Sequence, residues 1–462
     1  MRTAMRIVRW VLALVIVAVA AAIGWFYVSP PELIRVGSGY SAKIVCSNVF
    51  IAGRDPEQVL ALDVQAPGSP ILKFMTVDVD RQAKVVRAGL FGLFGKGMAV
   101  ARDGYGCSNV PDGNPDAVVP APALPPGPAA APSNALWPEG TTIEPSQEPG
   151  LAKVIDDSTL TGPEMRAVVV VKNGRIVGER YGDGFSPDTP LLGWSMTKGV
   201  NAAIIGTLIK AGKLSLDQSG LLPEWKGDGR AAIKLSDLMA MSSGLEFNED
   251  YGVNGVSDVL RMLYLETDMA GFAAGKPLVH DVGQTWSYSS GTSVLLSRIW
   301  QNAVGVDALS YPKKTLFDPI GMTSAIMEPD EHGTFVGSSY LYATARDWAR
   351  FGLFMLREGV WNGNEILPAG YVDWMHEPVP DSKGGYGKGQ VRIWGPEGDQ
   401  AAHELDVRLG LPSDTFWFEG HDGQTVTVIP SKDLVIVRMG LTPIELGYLP
   451  QGLVAAVMKA VE

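Results

Sequence analysis

The chain has 462 residues, 46% of them hydrophobic and 19% charged, which is enough apolar material for a large core and leaves room for a second domain. Its formal net charge is −12, and no basic block follows Arg9, which argues against electrostatic capture of nucleic acid. The five histidines (His280, His332, His376, His403 and His421) show no metal-ligand spacing and no phosphate-binding loop occurs, so neither a metal nor a cofactor is expected.

Arg2, Arg6 and Arg9 precede Trp10–Val28, a run without a charged residue. At 1.5 Å per residue it spans roughly 28 Å, about one hydrocarbon core. Trp10 stands at one end and Trp25, Phe26 and Tyr27 at the other, as an aromatic belt would place them. The arginines predict a cytoplasmic N-terminus with the rest of the chain outside, periplasmic or extracellular. Ala18-Val19-Ala20 offers the small-residue pattern of signal-peptide cleavage, but the apolar run continues past it. An uncleaved membrane anchor over residues 1–30 is the preferred reading. On either reading the bulk of the chain is exported.

Residues 31–107 read as a small α/β or β-rich module with no chemical motif. It contains both cysteines, Cys46 and Cys107. Paired in an oxidising compartment they close a loop of about sixty residues, worth at most about 4 kcal/mol in the loop-entropy model. The alternative is two unpaired buried thiols. Residues 108–150 are rich in proline and alanine, including Pro120-Ala-Pro-Ala-Leu-Pro-Pro126. That composition predicts an extended linker that buries no core.

The remainder, 151–462, reads as one domain. Arg166–Lys172 and Arg175–Arg180 flank Asn173-Gly174, the strongest two-residue hairpin signal. After Thr189-Pro190, apolar residues recur at Met196, Val200, Ala203, Ile204 and Leu208, the spacing of a buried helix. Ser195 then lies at the helix N-terminus, where unpaired N–H groups and the dipole favour negative charge. Lys198, three residues on, is its neighbour on the helix surface. An amine beside a hydroxyl makes a nucleophile with its own base, although serine also caps helices routinely. The second Ser-x-x-Lys match, Ser310 to Lys313, has Pro312 inside the spacing and is set aside.

Residues 212–285 are predicted mostly helical, and a further helix runs from about Ser293 to Val304. Thr344-Ala-Arg-Asp347 resembles a capping box opening a helix with Trp348, Phe351 and Phe354. Thr415–Phe418, Thr425–Ile429 and Leu434–Arg438 are predicted strands, and a helix from about Gln451 closes the chain. Strands at both ends with helices between imply an α+β fold, one antiparallel sheet built from both ends with a helical insertion.

Four phrases, in order, carry a resemblance: Met241-Ser-Ser-Gly-Leu245, Trp286-Ser-Tyr-Ser-Ser-Gly291, Tyr340 to Arg350, and Gly420-His-Asp-Gly423, with Ser195 and Lys198 ahead of them. The chain resembles the class C β-lactamase-like serine hydrolases, in particular 6-aminohexanoate-dimer hydrolases and related esterases, over roughly residues 150–462. The resemblance implies a β-lactamase/transpeptidase-like fold with the site between sheet and helical region. It also implies that Ser195 is the nucleophile, and that Lys198 and Tyr288 handle its proton as a coupled pair. The backbone N–H groups of Ser195 and Gln424 would form the oxyanion hole. Gly423 would let substrate approach the strand, and His421 would replace the lysine of Lys-Thr-Gly. Ser290 stands where the family's Tyr-x-Asn pattern has asparagine.

Losing that amide and that lysine weakens the case for β-lactam turnover and suits esters or linear amides. The leading expectation is therefore an exported, membrane-tethered serine hydrolase acting on a small ester, amide or peptide. A β-lactamase or a D-Ala carboxypeptidase or D-aminopeptidase is the second reading. A non-catalytic protein that binds cell-wall fragments or a partner is the third. Specificity is expected in loops 245–285 and 380–412, and the sequence is silent on oligomeric state.

Overall fold

The computed structural model of the chain describes every residue except Met1, 67–68, 128–133, 145–147, 252–254 and 394–399. It comprises two compact units. One gathers Met1–Ala101, Cys107–Val118 and Tyr251–Thr267; the other gathers Arg102–Gly106, Val119–Asp250 and Asp268–Glu462.

In the first unit Arg2–Val28 is one helix, and Met5–Val28 is long and apolar enough to cross a membrane. Pro30 and Pro31 end it, since proline supplies no N–H to continue the ladder, and the helix Glu32–Phe50 follows. That second helix packs on a four-stranded sheet of Met75–Asp80, Val85–Leu90, Phe94–Arg102 and Gly106–Asn109, in chain order. The packing is backbone on backbone: a Cβ on Gly97 would fall 2.4 Å from the Ser38 carbonyl carbon. A disulfide between Cys46 and Cys107 ties the helix to the last strand. The helix Asp258–Leu265 joins this unit although it lies far along the chain. Tyr264 meets Tyr40 edge-on at 5.7 Å, and Asn109 Nδ2 donates to the Leu263 carbonyl at 2.9 Å.

The second unit is built on a six-stranded antiparallel sheet. Its order is Arg392–Ile393, Phe416–Gly420, Gln424–Ile429, Leu434–Gly440, Met165–Lys172 and Arg175–Tyr181. Strands from 165–181 and from 392–440 thus share one sheet, as the sequence implies. Asn173 and Gly174 take left-handed φ values of 51° and 73°, the turn that their residue types favour. Ala167 to Val171 are all buried, so this strand is covered on both faces and reads as a continuous apolar run. On one face Val168, Val170, Ile436 and Trp417 pack with Leu151 and Ile155 and with Leu453, Val457 and Met458 of the helix Pro450–Ala460. On the other lies the helix Ala345–Leu356, capped by Thr344, whose hydroxyl accepts from the Asp347 N–H at 3.2 Å. Gly352 permits that contact, because a Cβ there would come 2.5 Å from Val435.

Two expectations need correction. The stretch 212–285 is not mostly helical. Among its described residues it consists of short turns and helices (Pro223–Trp225, Gly229–Ala232, Leu235–Met239, Asp258–Leu265, Met269–Ala274) joined by irregular chain. Left-handed Gly212, Gly220, Gly227 and Gly244 interrupt the apolar spacing before a long helix can form. The proline-rich stretch is also not wholly without a core. Trp137 is 1% exposed, with the Arg350 guanidinium 5.4 Å over its ring. Arg350 donates to the carbonyls of Pro138 and Gly140, at 3.2 and 3.0 Å from Nη2. Its planar donor fork gathers carbonyls that a proline-rich segment cannot pair in a ladder.

Candidate active site

Ser195 stands at the head of the helix Met196–Lys210, directly after Trp194, whose φ is +48°. The bend rests on Gly193, where a Cβ would lie 2.2 Å from the Trp348 ring. The sheet edge comes equally close: a Cβ on Gly420 would fall 2.2 Å from the Gly193 carbonyl oxygen. Glycine at both positions lets a strand end lie against the loop that presents Ser195.

Lys198 is 1% exposed, one turn into the helix. Its Nζ lies 3.0 Å from Ser195 Oγ, 3.1 Å from Ser290 Oγ and 3.1 Å from the Ser338 carbonyl oxygen. Burial brings its pKa down to about 8, against a smaller upward pull from the Glu249 carboxylate. Ser290, at the first turn of the helix Ser290–Val304, donates its hydroxyl to Glu249 Oε1 at 2.5 Å. The Ser290 N–H donates to Glu249 Oε2 at 2.8 Å. A carboxylate only accepts, so the Ser290 oxygen offers a lone pair to Lys198. The Ser338 carbonyl likewise only accepts. A neutral Lys198 would then spend both N–H bonds on these two partners, leaving its lone pair for Ser195.

Tyr288 is half-buried, and its ring centroid is 4.7 Å from Lys198 Nζ. Burial raises the pKa of its phenol, helped by the carboxylates of Glu249 and Glu419 and opposed by the Ser195 hydroxyl. The phenol therefore keeps its proton at neutral pH. Tyr288 also belongs to an aromatic wall. Tyr386 stacks on Trp286 at 5.0 Å and meets Tyr288 edge-on at 5.6 Å, while the Trp286 N–H donates to Asp381 at 2.9 Å.

Ser195, Lys198, Tyr288 and Ser290 thus converge on one point. His421 flanks it: its ring is 5.8 Å from Trp194 and its Nε2 3.4 Å from Asp422 Oδ1, with half of the side chain exposed. Gly423 and Gln424 follow it at the start of the next strand. The Gly423 carbonyl accepts from Arg438 at 3.0 Å, and the Gln424 side chain clasps the Gly440 backbone, donating to its carbonyl and accepting from its N–H. The Gln424 backbone pairs with Gly420 across the turn, and Gly420 meets the loop before Ser195. Glu249 and Ser338 were not foreseen; 41 residues separate Glu249 from Ser290 and 140 separate Lys198 from Ser338, with no local pattern to link them. Parts of the two expected specificity loops, 252–254 and 394–399, lie outside the described residues.

Among the described residues one group has metal-ligand proximity: Glu358, Asp373 and His376, whose ligand atoms lie within 4.8 Å of one another. None of the three belongs to the Ser195 constellation.

The family model described as Beta-lactamase matches residues 148–440. A 6-aminohexanoate-dimer hydrolase of Paenarthrobacter ureafaciens is 26% identical over 306 residues, 60% of this chain and 72% of that protein. Two solved structures share the fold. One is a penicillin-binding protein homologue from Caulobacter crescentus, with TM-score 0.54 and 16% identity over 69% of this chain and 97% of that one. The other is a family VIII carboxylesterase, with TM-score 0.54 and 15% identity over 69% and 98%.

Proposed function

The chain belongs to the beta-lactamase family of serine hydrolases, and on that premise we propose that it hydrolyses an ester or a linear amide through an acyl-enzyme on Ser195. The observation that carries this reading is the environment of Lys198. It is a buried amine near neutrality, 3.0 Å from the Ser195 hydroxyl, with its other two partners fixed as acceptors.

In the acylation step the lone pair of neutral Lys198 takes the Ser195 proton as Oγ bonds to the substrate carbonyl carbon. The carbonyl oxygen gains the negative charge. It is met by the Ser195 N–H at the helix start and by backbone of the hairpin Gly420–Gln424. Collapse of the adduct breaks the bond to the leaving oxygen or nitrogen. The protonated Lys198 returns its proton to that atom, with the neutral phenol of Tyr288 as the relay beside Ser195. Water then attacks the acyl carbon, its proton passes to Lys198, and the Ser195 oxygen leaves with a proton restored.

Electrostatics favour an uncharged or cationic substrate over a β-lactam carboxylate. His421 stands in the place of a fixed lysine and lies beside Asp422. Arg392 nearby is held by Glu419 at 2.8 Å. Glu249 and Glu419 both act on Tyr288. We further propose that Met5–Val28 anchors the protein in a membrane with the hydrolase outside the cytoplasm. The apolar helix and the disulfide Cys46–Cys107, a bond suited to an oxidising compartment, support this.

The test is Ser195→Ala assayed on p-nitrophenyl esters, on a linear 6-aminohexanoate amide and on nitrocefin. Turnover of the ester or amide that vanishes in the variant, with nitrocefin cleaved poorly by the wild type, is the expected result. Equal turnover by Ser195→Ala would refute the mechanism.

A further inference from the structure

We propose that the β-hairpin around Phe91 in the N-terminal unit is a second membrane contact, seating Phe74, Phe91 and Leu93 in the interface of an anionic lipid bilayer beside the spanning helix. The inference rests on the reading of Met5–Val28 as a membrane anchor.

The hairpin tip reads Gly89-Leu-Phe-Gly-Leu-Phe-Gly95, between the strands Val85–Leu90 and Phe94–Arg102. Its large side chains face solvent: Phe91 is 58% exposed, Leu93 57%, and Phe74, just before the strand Met75–Asp80, 52%. They form one patch, because the Phe91 N–H donates to the Phe74 carbonyl at 2.9 Å and the two rings are 5.3 Å apart. Scattered exposed apolar residues need no explanation, but a contiguous aromatic patch marks an interaction site. The turn itself is unusual. Phe91 has φ +52° and Gly92 φ +72°, so a bulky aromatic occupies a left-handed position that asparagine or aspartate normally fills. Strain and exposure fall on the same residue, and in water neither is repaid.

The depth of the patch identifies the occupant. The Phe94 ring lies 6.4 Å from Phe26, edge to face, and the Lys96 ammonium 6.0 Å from the Tyr27 ring. Phe26 and Tyr27 close the apolar helix, at the level where aromatic residues meet lipid headgroups. The base of the hairpin is fixed there too: a Cβ on Gly95 would lie 2.6 Å from Ile34 in the first turn of the next helix. Charge points the same way. Residues 70–100 carry five basic and two acidic side chains, in a chain whose net charge is −12. Aromatic residues flanked by lysine and arginine beside a spanning helix suit an anionic lipid surface.

The full-length protein, reconstituted in vesicles of phosphatidylcholine and phosphatidylglycerol, would be labelled with an environment-sensitive fluorophore at one introduced cysteine. The native cysteines are joined to each other and do not compete. Sites are Phe91→Cys and Leu93→Cys at the tip, Leu14→Cys within the span, and fully exposed Val306→Cys as the aqueous reference. The expected result is a blue shift, and loss of emission to nitroxide-labelled lipid, at 14, 91 and 93 but not at 306. Quenching at 14 with water-like emission at 91 and 93 would overturn the hairpin contact and leave the anchor standing. Water-like emission at 14 would overturn the anchor and the hairpin contact that rests on it. Retained esterase turnover in each labelled variant establishes that it is folded.

Discussion

Replacing Glu249 by glutamine isolates the group that directs the Lys198 lone pair. In the wild type both Glu249 oxygens accept, from the Ser290 hydroxyl at 2.5 Å and the Ser290 N–H at 2.8 Å. The Ser290 hydrogen is thereby committed away from Lys198. An amide at 249 can donate instead, freeing the Ser290 hydroxyl to bond the lone pair that the reaction needs. Losing one charge-assisted hydrogen bond costs about 1.5–3 kcal/mol. At 1.36 kcal/mol per decade, kcat/KM on a p-nitrophenyl ester should fall roughly 10- to 150-fold. The pH profile supplies an independent readout. The neutral amine is the active form, so kcat/KM rises with pH through the Lys198 midpoint, near the value of about 8 set by burial. Glu249 raises that value, so removing its charge must move the rising limb to lower pH while the plateau drops. The assay is kcat/KM from pH 6 to 10, normalised to Ser195 titrated with a fluorophosphonate. An unchanged plateau, or a midpoint displaced upward, would refute the role given to Glu249.

Two further substitutions test the scaffold around the site. Gly420→Ala places a methyl 2.2 Å from the Gly193 carbonyl, backbone against backbone, and should cost about 1–3 kcal/mol of overpacking together with most esterase turnover. A variant with wild-type melting and turnover would show that the strand end does not rest on the nucleophile loop. Trp137→Ala removes a fully buried ring from under Arg350 and should destabilise by about 3–5 kcal/mol, read as a lower temperature of thermal inactivation. Unchanged inactivation would restore the view of residues 108–150 as a passive linker.

The frame of the hydrolase unit is legible in the sequence because its signals are local. Asn173-Gly174 dictates its own turn, Thr344 its own cap, and Val168 to Val171 a strand covered on both faces. Stretch 212–285 misleads for the same reason. Its apolar spacing suits helices, but the glycines at 212, 220, 227 and 244 and contacts made by Tyr264 with Tyr40 decide the outcome. The assignment of Tyr251–Thr267 to the first unit depends on partners more than 150 residues away, such as Asn109 for Leu263, and no pattern within the segment encodes them.

The site divides along the same line. Ser195 and Lys198 are legible because helical geometry fixes their separation, and Tyr288 and Ser290 become legible only through a phrase shared with a family. Gln424 enters by the same transfer: the resemblance gives the oxyanion role to its backbone N–H, while its side chain fastens two strands and its partner across the turn, Gly420, meets the loop before Ser195. Glu249 lies beyond either kind of inference: in the sequence it is one acid in the polar loop Asn248-Glu-Asp250. Its chemistry depends on two oxygens aligned with both donors of Ser290, a relation set by tertiary packing alone. If the lone pair of Lys198 is set by an acid that no motif contains, a match to the serine–lysine phrase points to the proposed nucleophile without specifying its reactivity. That property then depends on the loop carrying Glu249, and its variation among proteins with the same Ser-x-x-Lys phrase should change the midpoint of the pH profile while the nucleophile stays in place.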